Sequence, residues 1–249
     1  MTDSNIANRL IEIAENLSNH CNQLIPEIID QTSIAYATNP LDYAKKPHHA
    51  YLRLGGKFSA KTVMLGMNPG PWGMAQCGVP FGATKVATEL LGISNLEVRQ
   101  PEGAHPKRPV VGLELERQEV SGTRLWGALA ERYGTKGGIM KNVFLVNHCP
   151  LLLLDEGGKN ITPDKLSGKA ISELMQVCDE HLRGVVEILS AKKIIGVGKY
   201  AEKRAKITFP EHSTGDLEIV SVWHPSPASP LANRNDGADW RENVFAELP

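Results

Sequence analysis

Four short apolar runs stand out along the chain, each rich in β-branched or aliphatic residues and bounded by Gly or Pro. They are Thr62 to Met67, Asn142 to Val146, Lys193 to Val197, and Glu218 to Trp223. Continuous rather than alternating hydrophobicity marks strands covered on both faces, as in a parallel sheet. Between and beside them, apolar positions recur at helical spacing in Asn8 to Leu24, Thr84 to Leu91, Gly122 to Tyr133, Lys165 to Leu189, Tyr200 to Ile207 and Ala238 to Leu248. Strands separated by helices predict an α/β fold: a central, mainly parallel four-stranded sheet flanked by helices. No repeat, low-complexity tract or long linker divides the pattern. Residues 1–249 therefore read as one domain, with an N-terminal helix at about residues 5–25 as an accessory. The stretch Asn95 to Gln118, with Pro101, Pro106, Pro109 and many charges, reads as a long surface excursion.

Three of the four runs end directly in an unusual loop: Asn68-Pro-Gly-Pro-Trp-Gly, Asn147-His-Cys-Pro and His224-Pro-Ser-Pro. In an open parallel sheet the carboxyl ends of the strands point to one edge, where ligands bind. Three distant loops are thus expected to converge on one pocket.

Composition narrows the chemistry. A chain of 249 residues that is 41% hydrophobic and 22% charged can bury a full core without disulfide or metal staples. No run approaches the length of a membrane span, so no membrane partner is expected. The polar, acidic stretch Met1 to Asn8 resembles neither a secretory signal nor a transit peptide. The expected location is intracellular, cytoplasmic in a bacterium or nuclear in a eukaryote. The four cysteines, Cys21, Cys77, Cys149 and Cys178, are far apart and form no C-x-x-C pair, which argues against a zinc ribbon or clustered iron-sulfur motif. They read as reduced, buried thiols, and no metal or other cofactor is expected. A net charge of −1 gives no global pull toward a polyanion, so nucleic-acid binding requires a local basic patch.

Taken singly, each loop also has a plain reading. Asn-Pro and Pro-Gly are common turn dipeptides, so Asn68 to Gly73 could be only a stiff turn. Phe81, framed by Gly and Pro, reads equally as a core ring or as a base-stacking platform. The amide of Asn147 presents a donor beside an acceptor, which matches O4 and N3–H of uracil and mismatches cytosine, but an Asn there also caps turns. His224, mounted between a strand end and two prolines, reads alone as structural. The Asn68 and Phe81 loops lack the Lys-Ser/Thr of a phosphate-binding P-loop. A serine hydrolase is disfavoured, since no G-x-S-x-G elbow occurs and Ser226 lies between prolines. A DNA- or nucleotide-binding module that has lost its chemistry stays open, because the Asn68 amide is a weak activator of water.

Together the loops closely resemble the single-strand-selective monofunctional uracil-DNA glycosylases of the uracil-DNA glycosylase superfamily. The matching motifs are Gly66 to Pro71, Gly73 to Gly82, His105-Pro-Lys-Arg-Pro, Glu119-Val-Ser-Gly-x-Arg124, Asn147-x-Cys-Pro-Leu151, Gly196-Val-Gly198 and His224 to Pro227, in order over about residues 50–248. The resemblance implies excision of uracil from single- and double-stranded DNA by base flipping and hydrolysis, without metal, cofactor or lyase step, by a monomer. It implies that Asn68 holds the attacking water and His224 supports the leaving base. It further implies that Met67, Gly70, Phe81 and Asn147 form the base pocket, with Phe81 stacking and Asn147 reading the Watson-Crick edge. Gly70 stands where stricter uracil enzymes carry Tyr, which implies room for oxidised 5-substituted uracils such as 5-hydroxymethyluracil. DNA contacts are implied for Ser226, Pro227, Ala228 and Ser229, with Lys199 and Arg234; Ala228 stands where vertebrate members commonly carry Arg. The further charges Lys203, Arg204 and Lys206 read equally as a phosphate-receiving helix or a solvated face.

Overall fold

The computed structural model describes residues 3–210 and 215–249; Met1 and Thr2 of the stretch read above for targeting lie outside the described residues. Its centre is a four-stranded, all-parallel sheet in the order β3-β2-β5-β6, built from β2 (Thr62–Gly66), β3 (Val143–Asn147), β5 (Lys193–Val197) and β6 (Glu218–Val222). These are the four apolar runs. Every residue of β2 and β3 is buried, as strands covered on both faces require, whereas β6 at the edge is partly exposed.

Register fixes what stands at the sheet edge. Gly66 pairs with Asn147, and Val197 with Val222, so the loops after all four strands leave from one side. The chain steps from β2 to β3 on one side and later to β5 on the other, which places the switch point of the sheet beside β2. Such a point is where a crevice opens.

A second, two-stranded antiparallel sheet pairs β1 (Tyr36–Thr38) with β4 (Leu152–Leu154). The chain then turns back through Asp155 to Lys159, and a bridge between Leu154 and Asn160 returns Asn160 to the sheet edge. Neither strand was expected, since three residues are too short to show a period.

Ten α-helices flank the strands in the described residues. α1 (Asp3–Gln31) buries Leu10, Ala14, Leu17, Cys21, Leu24 and Ile28 and continues through Pro26, past the expected end at Leu24. α2 (Pro40–Tyr43) leads into α3 (Lys45–Phe58), which the polar, Gly-containing sequence did not announce. It packs because it lacks side chains: a Cβ on Gly56 would lie 2.5 Å from the backbone of Ala7 in α1, and one on Gly55 would lie 2.3 Å from Phe144. α4 (Met74–Cys77) follows the first loop of the sheet edge, and α5 (Val120–Tyr133) and α6 (Lys136–Asn142) lead into β3.

α7 (Lys169–Leu189) begins four residues later than expected, after a 3-10 turn at Pro163–Lys165 and Gly168 at φ 113°. α8 (Lys199–Thr208) connects β5 to β6, while α9 (Pro230–Asn233) and α10 (Ala238–Glu247) close the chain. The expected helix Thr84 to Leu91 is helical from Thr84 to Leu90 but widens to π geometry over Val86–Leu90, where the Leu91 N–H donates to the Val86 carbonyl. The excursion at Asn95 to Gln118 is irregular except for a 3-10 turn at Gly112–Glu114. All four cysteines are free and buried.

Candidate active site

The three loops do converge. A cleft of about 430 Å³ opens at the strand ends, lined by Met67, Asn68 and Gly70 after β2, Asn147 at the end of β3, and His224 and Ser226 after β6. Phe81, Glu119, Asn160 and Thr162 also line it. Six of the expected residues thus share it with Ser226, whereas Lys199, Pro227, Ala228, Ser229 and Arg234 stand outside the lining.

Asn147 and Phe81 meet over a residue that must have no side chain. A Cβ on Gly66 would lie 2.3 Å from Asn147 Oδ1 and 2.4 Å from Phe81 Cε2. Asn147 is 6% exposed, and its Nδ2 donates only to the thioether of Met74, at 3.2 Å. A sulfur acceptor is weak, so the amide keeps most of its hydrogen-bonding capacity for a polar ligand. Behind it, the buried imidazole of His148 bonds to Asp179 at 2.8 Å, which also accepts from Arg204 Nε at 2.7 Å. Burial holds the His148 pKa below the ordinary range.

Phe81 has φ 54°, in the left-handed region that a bulky residue adopts only when its surroundings force it. Here α5 forces it. The Trp126 indole donates to the Pro80 carbonyl at 3.1 Å, and a Cβ on Gly122 would fall 1.9 Å from the Phe81 carbonyl oxygen. Glu119 caps the same helix, accepting from the N–H groups of Ser121, at 3.1 Å, and Gly122.

Asn68 is held by a residue that sequence reasoning missed. Its Nδ2 donates to Asn160 Oδ1 at 3.3 Å and the Leu151 carbonyl at 3.4 Å, while Asn160 Nδ2 donates to the Pro69 carbonyl at 3.0 Å. With its amino group so engaged, Asn68 offers its carbonyl oxygen as an acceptor. The only sequence signal for Asn160 was the residue type, 92 positions away from its partner.

His224 faces Phe81, with ring centroids 6.2 Å apart and planes tilted 45°. Its Nδ1 lies 3.1 Å from the backbone N of Ser226. A backbone N–H can only donate, so Nδ1 accepts and the neutral ring carries its proton on Nε2. Burial pushes the His224 pKa below the ordinary range, which keeps the ring neutral near pH 7. Arg124 braces this loop by donating to the Pro225 carbonyl at 3.2 Å and to Asn233 Oδ1 at 3.0 Å, and Asn233 Nδ2 donates to the Pro227 carbonyl at 2.8 Å.

The charges outside the cleft are largely spoken for. Lys199 and Lys206 both pair with Glu202 at 2.8 Å, Arg204 turns inward to Asp179, and Arg234 lies 3.4 Å from Asp239. Among the described residues, no group of three or more His, Cys, Asp or Glu side chains could hold a metal ion. No described helix is long and apolar enough to cross a membrane.

The arrangement has counterparts. The profile of the uracil DNA glycosylase superfamily matches residues 53–248. The chain is 41% identical over 206 residues to the single-strand selective monofunctional uracil DNA glycosylase of Bos taurus, covering 83% of this chain and 75% of that protein. It is 42% identical to the Rattus norvegicus protein of the same description, over 83% of this chain and 73% of that one. In fold it is similar to the crystal structure of wild-type Pedobacter heparinus SMUG2, with a TM-score of 0.63 over 97% of this chain and 94% of that one, at 16% identity. The chain belongs to the uracil-DNA glycosylase superfamily and, within it, to the single-strand-selective monofunctional uracil-DNA glycosylases.

Proposed function

We propose that this protein is a monofunctional glycosylase that excises uracil from single- and double-stranded DNA, flipping the base into the cleft and hydrolysing its N-glycosidic bond to begin base excision repair. The observation that carries this reading is the meeting of Asn147, Phe81 and His224 around one cleft from three distant loops. Each offers what a flipped uracil needs. Phe81 supplies a ring to stack on. Asn147 supplies a donor for O4 beside an acceptor for N3–H, a pair that cytosine would oppose on both atoms. His224 supplies Nε2–H.

Bond cleavage leaves positive charge on the sugar and negative charge on uracil O2. A donor already in place where that charge develops lowers the barrier without reorganising. Asn68 cannot act as a strong base, so its carbonyl orients the attacking water and leaving-group stabilisation carries most of the acceleration. Among the described residues no Lys lines the cleft to form a Schiff base, which fits an intact abasic strand as product.

The open space at Gly70 extends the substrate range to oxidised 5-substituted uracils such as 5-hydroxymethyluracil. A Cβ there would approach only Glu119 Cγ, at 3.8 Å. Ser226 to Ser229, with Lys199 and Arg234, would contact the strand. We further read residues 1–249 as one intracellular, monomeric domain, with activity that persists in EDTA. Incubation with a uracil-containing oligonucleotide followed by alkali tests the reading: cleavage at the uracil position supports it, and an intact strand refutes it.

A further inference from the structure

Trp72 stands between Pro71 and Gly73, both of which line the cleft. Two guanidinium groups lie over its indole, that of Arg117 at 4.3 Å and that of Arg108 at 5.4 Å from the ring centroid. Both come from the irregular Asn95 to Gln118 excursion, and Arg117 is two residues from Glu119, another cleft residue. Pro71, which lines the cleft, also borders a small neighbouring crevice together with Arg108. Excursion and loop are joined through buried Gln76, whose Nε2 donates to the carbonyls of Pro71 at 2.8 Å and Pro109 at 3.0 Å. Its Oε1 accepts from the N–H groups of Val111 and Gly112.

These two arginines differ from the other cations around them. Arg99 on the same excursion is paired with Asp42, and Lys46 with Glu97. Arg117 is exposed, and among the described residues neither Arg117 nor Arg108 forms an ion pair. Arg108 spends Nε on the Gly158 carbonyl and one Nη on the Lys107 carbonyl. An indole face attracts a guanidinium and orders its side chain, yet it accepts no in-plane N–H bond. The forks are therefore held in place with donors left over, which is the preorganised form of a phosphate ligand.

We propose that Arg117 and Arg108, ordered against Trp72, form a phosphate subsite for the DNA strand beside the nucleotide in the cleft. This rests on the glycosylase reading above, whose expected strand contacts all lie on other segments. Each phosphate contact on a single strand steepens the fall of log K with log salt by about 0.7, equivalent to about fivefold in affinity at 0.1 M salt.

The test is fluorescence anisotropy at several salt concentrations on a single-stranded oligonucleotide carrying an uncleavable 2′-fluorinated deoxyuridine. Arg117→Ala should weaken binding about fivefold at 0.1 M salt and reduce the slope by about 0.7, and adding Arg108→Ala should extend both effects. Arg117→Lys, which keeps a point charge, should restore the slope. Trp72→Leu should weaken binding while both arginines remain. Unchanged affinity and slope in the double variant, with uracil release by the wild type intact, overturns the subsite and leaves the glycosylase reading standing. A thymine oligonucleotide reads the strand alone: slope loss there in a protein that releases no uracil keeps the subsite and overturns the glycosylase reading.

Discussion

The Ser226 backbone N–H donates to His224 Nδ1 across 3.1 Å, which fixes the imidazole as the tautomer with Nε2–H free. Protonating Nδ1 would set two N–H groups against each other, in a site where burial already disfavours the cation. In the proposed mechanism the neutral ring is therefore the working form. Single-turnover uracil release should stay level as pH falls from 8 to 6.5 and decline only below that, since the pKa lies under the ordinary value of about 6.5. A rate that climbs on acidification through 6.5 would make the imidazolium the active species. His224→Ala should cost about 2.7–4 kcal/mol of transition-state stabilisation, the usual effect of losing one donor to a developing oxyanion. Unchanged single-turnover rates in that variant would remove His224 from the chemistry.

On the proposed reading base choice resides in Asn147, whose Nδ2 donates to the Met74 sulfur alone among the described residues. Asn147→Asp removes the donor, and an ionised carboxylate would repel O4, so uracil release should fall sharply. Each buried polar group left unpaired costs about 1–3 kcal/mol. If the cleft keeps the new carboxyl protonated, weak cytosine release appears, because the pattern then matches cytosine. Uracil and cytosine oligonucleotides assayed side by side distinguish these results, and unchanged uracil release would mean that Asn147 does not read the base.

On the proposed reading, room near C5 depends on Gly70. A Cβ there meets only Glu119 Cγ at 3.8 Å, so Gly70→Ala should fold normally. It should leave kcat/KM for uracil nearly intact while lowering that for 5-hydroxymethyluracil by about 10- to 200-fold, the range for one misplaced methylene-sized group. Equal losses on both bases would place C5 elsewhere.

Gly66 has the opposite character. Its missing Cβ leaves space for Asn147 Oδ1 and the Phe81 ring, so Gly66→Ala should displace both at once. Overpacking of this kind costs about 1–3 kcal/mol of stability. Urea unfolding and uracil release should therefore fall together, whereas wild-type values of both would mean that the two side chains sit elsewhere.

The contrast between those glycines shows what was legible in the sequence. Strands β2, β3 and β5 announced themselves because strands buried on both faces are largely apolar, and the partly exposed β6 because it is rich in β-branched residues; their order of loops placed Asn68, Asn147 and His224 at one edge. Helix α3 did not, because Gly55 and Gly56 contribute by letting Phe144 and Ala7 approach, a tertiary effect with no period. Asn160 was hidden for the same reason: only the return of the chain after β4 brings it to Asn68. The stack of Arg117 on Trp72 likewise joins residues with no local pattern between them.

Acid should loosen the fold before the carboxylates titrate. Burial pushes His48 down to about 4, while its Nδ1–H donates to the Gly78 carbonyl at 2.7 Å. Between pH 6.5 and 4 the unfolded chain binds a proton that the folded state refuses, so stability is present above 6.5 and is lost as pH falls through this window. The full loss from this one group is about 3 kcal/mol. His148 and His224 are shifted in the same direction. Urea midpoints at pH 7, 5.5 and 4.5 should decline, with a shallower decline in His48→Gln; a midpoint that holds steady from 7 to 4.5 would contradict the burial of neutral histidines.

The most direct measurement is base release by the unaltered protein from matched single-stranded oligonucleotides carrying uracil, cytosine or thymine at one position. The strands are treated with alkali and resolved on a gel. The expected result is cleavage at uracil alone, in the presence of EDTA, with the strand intact before alkali. An uncut uracil strand after prolonged incubation with excess protein would contradict it.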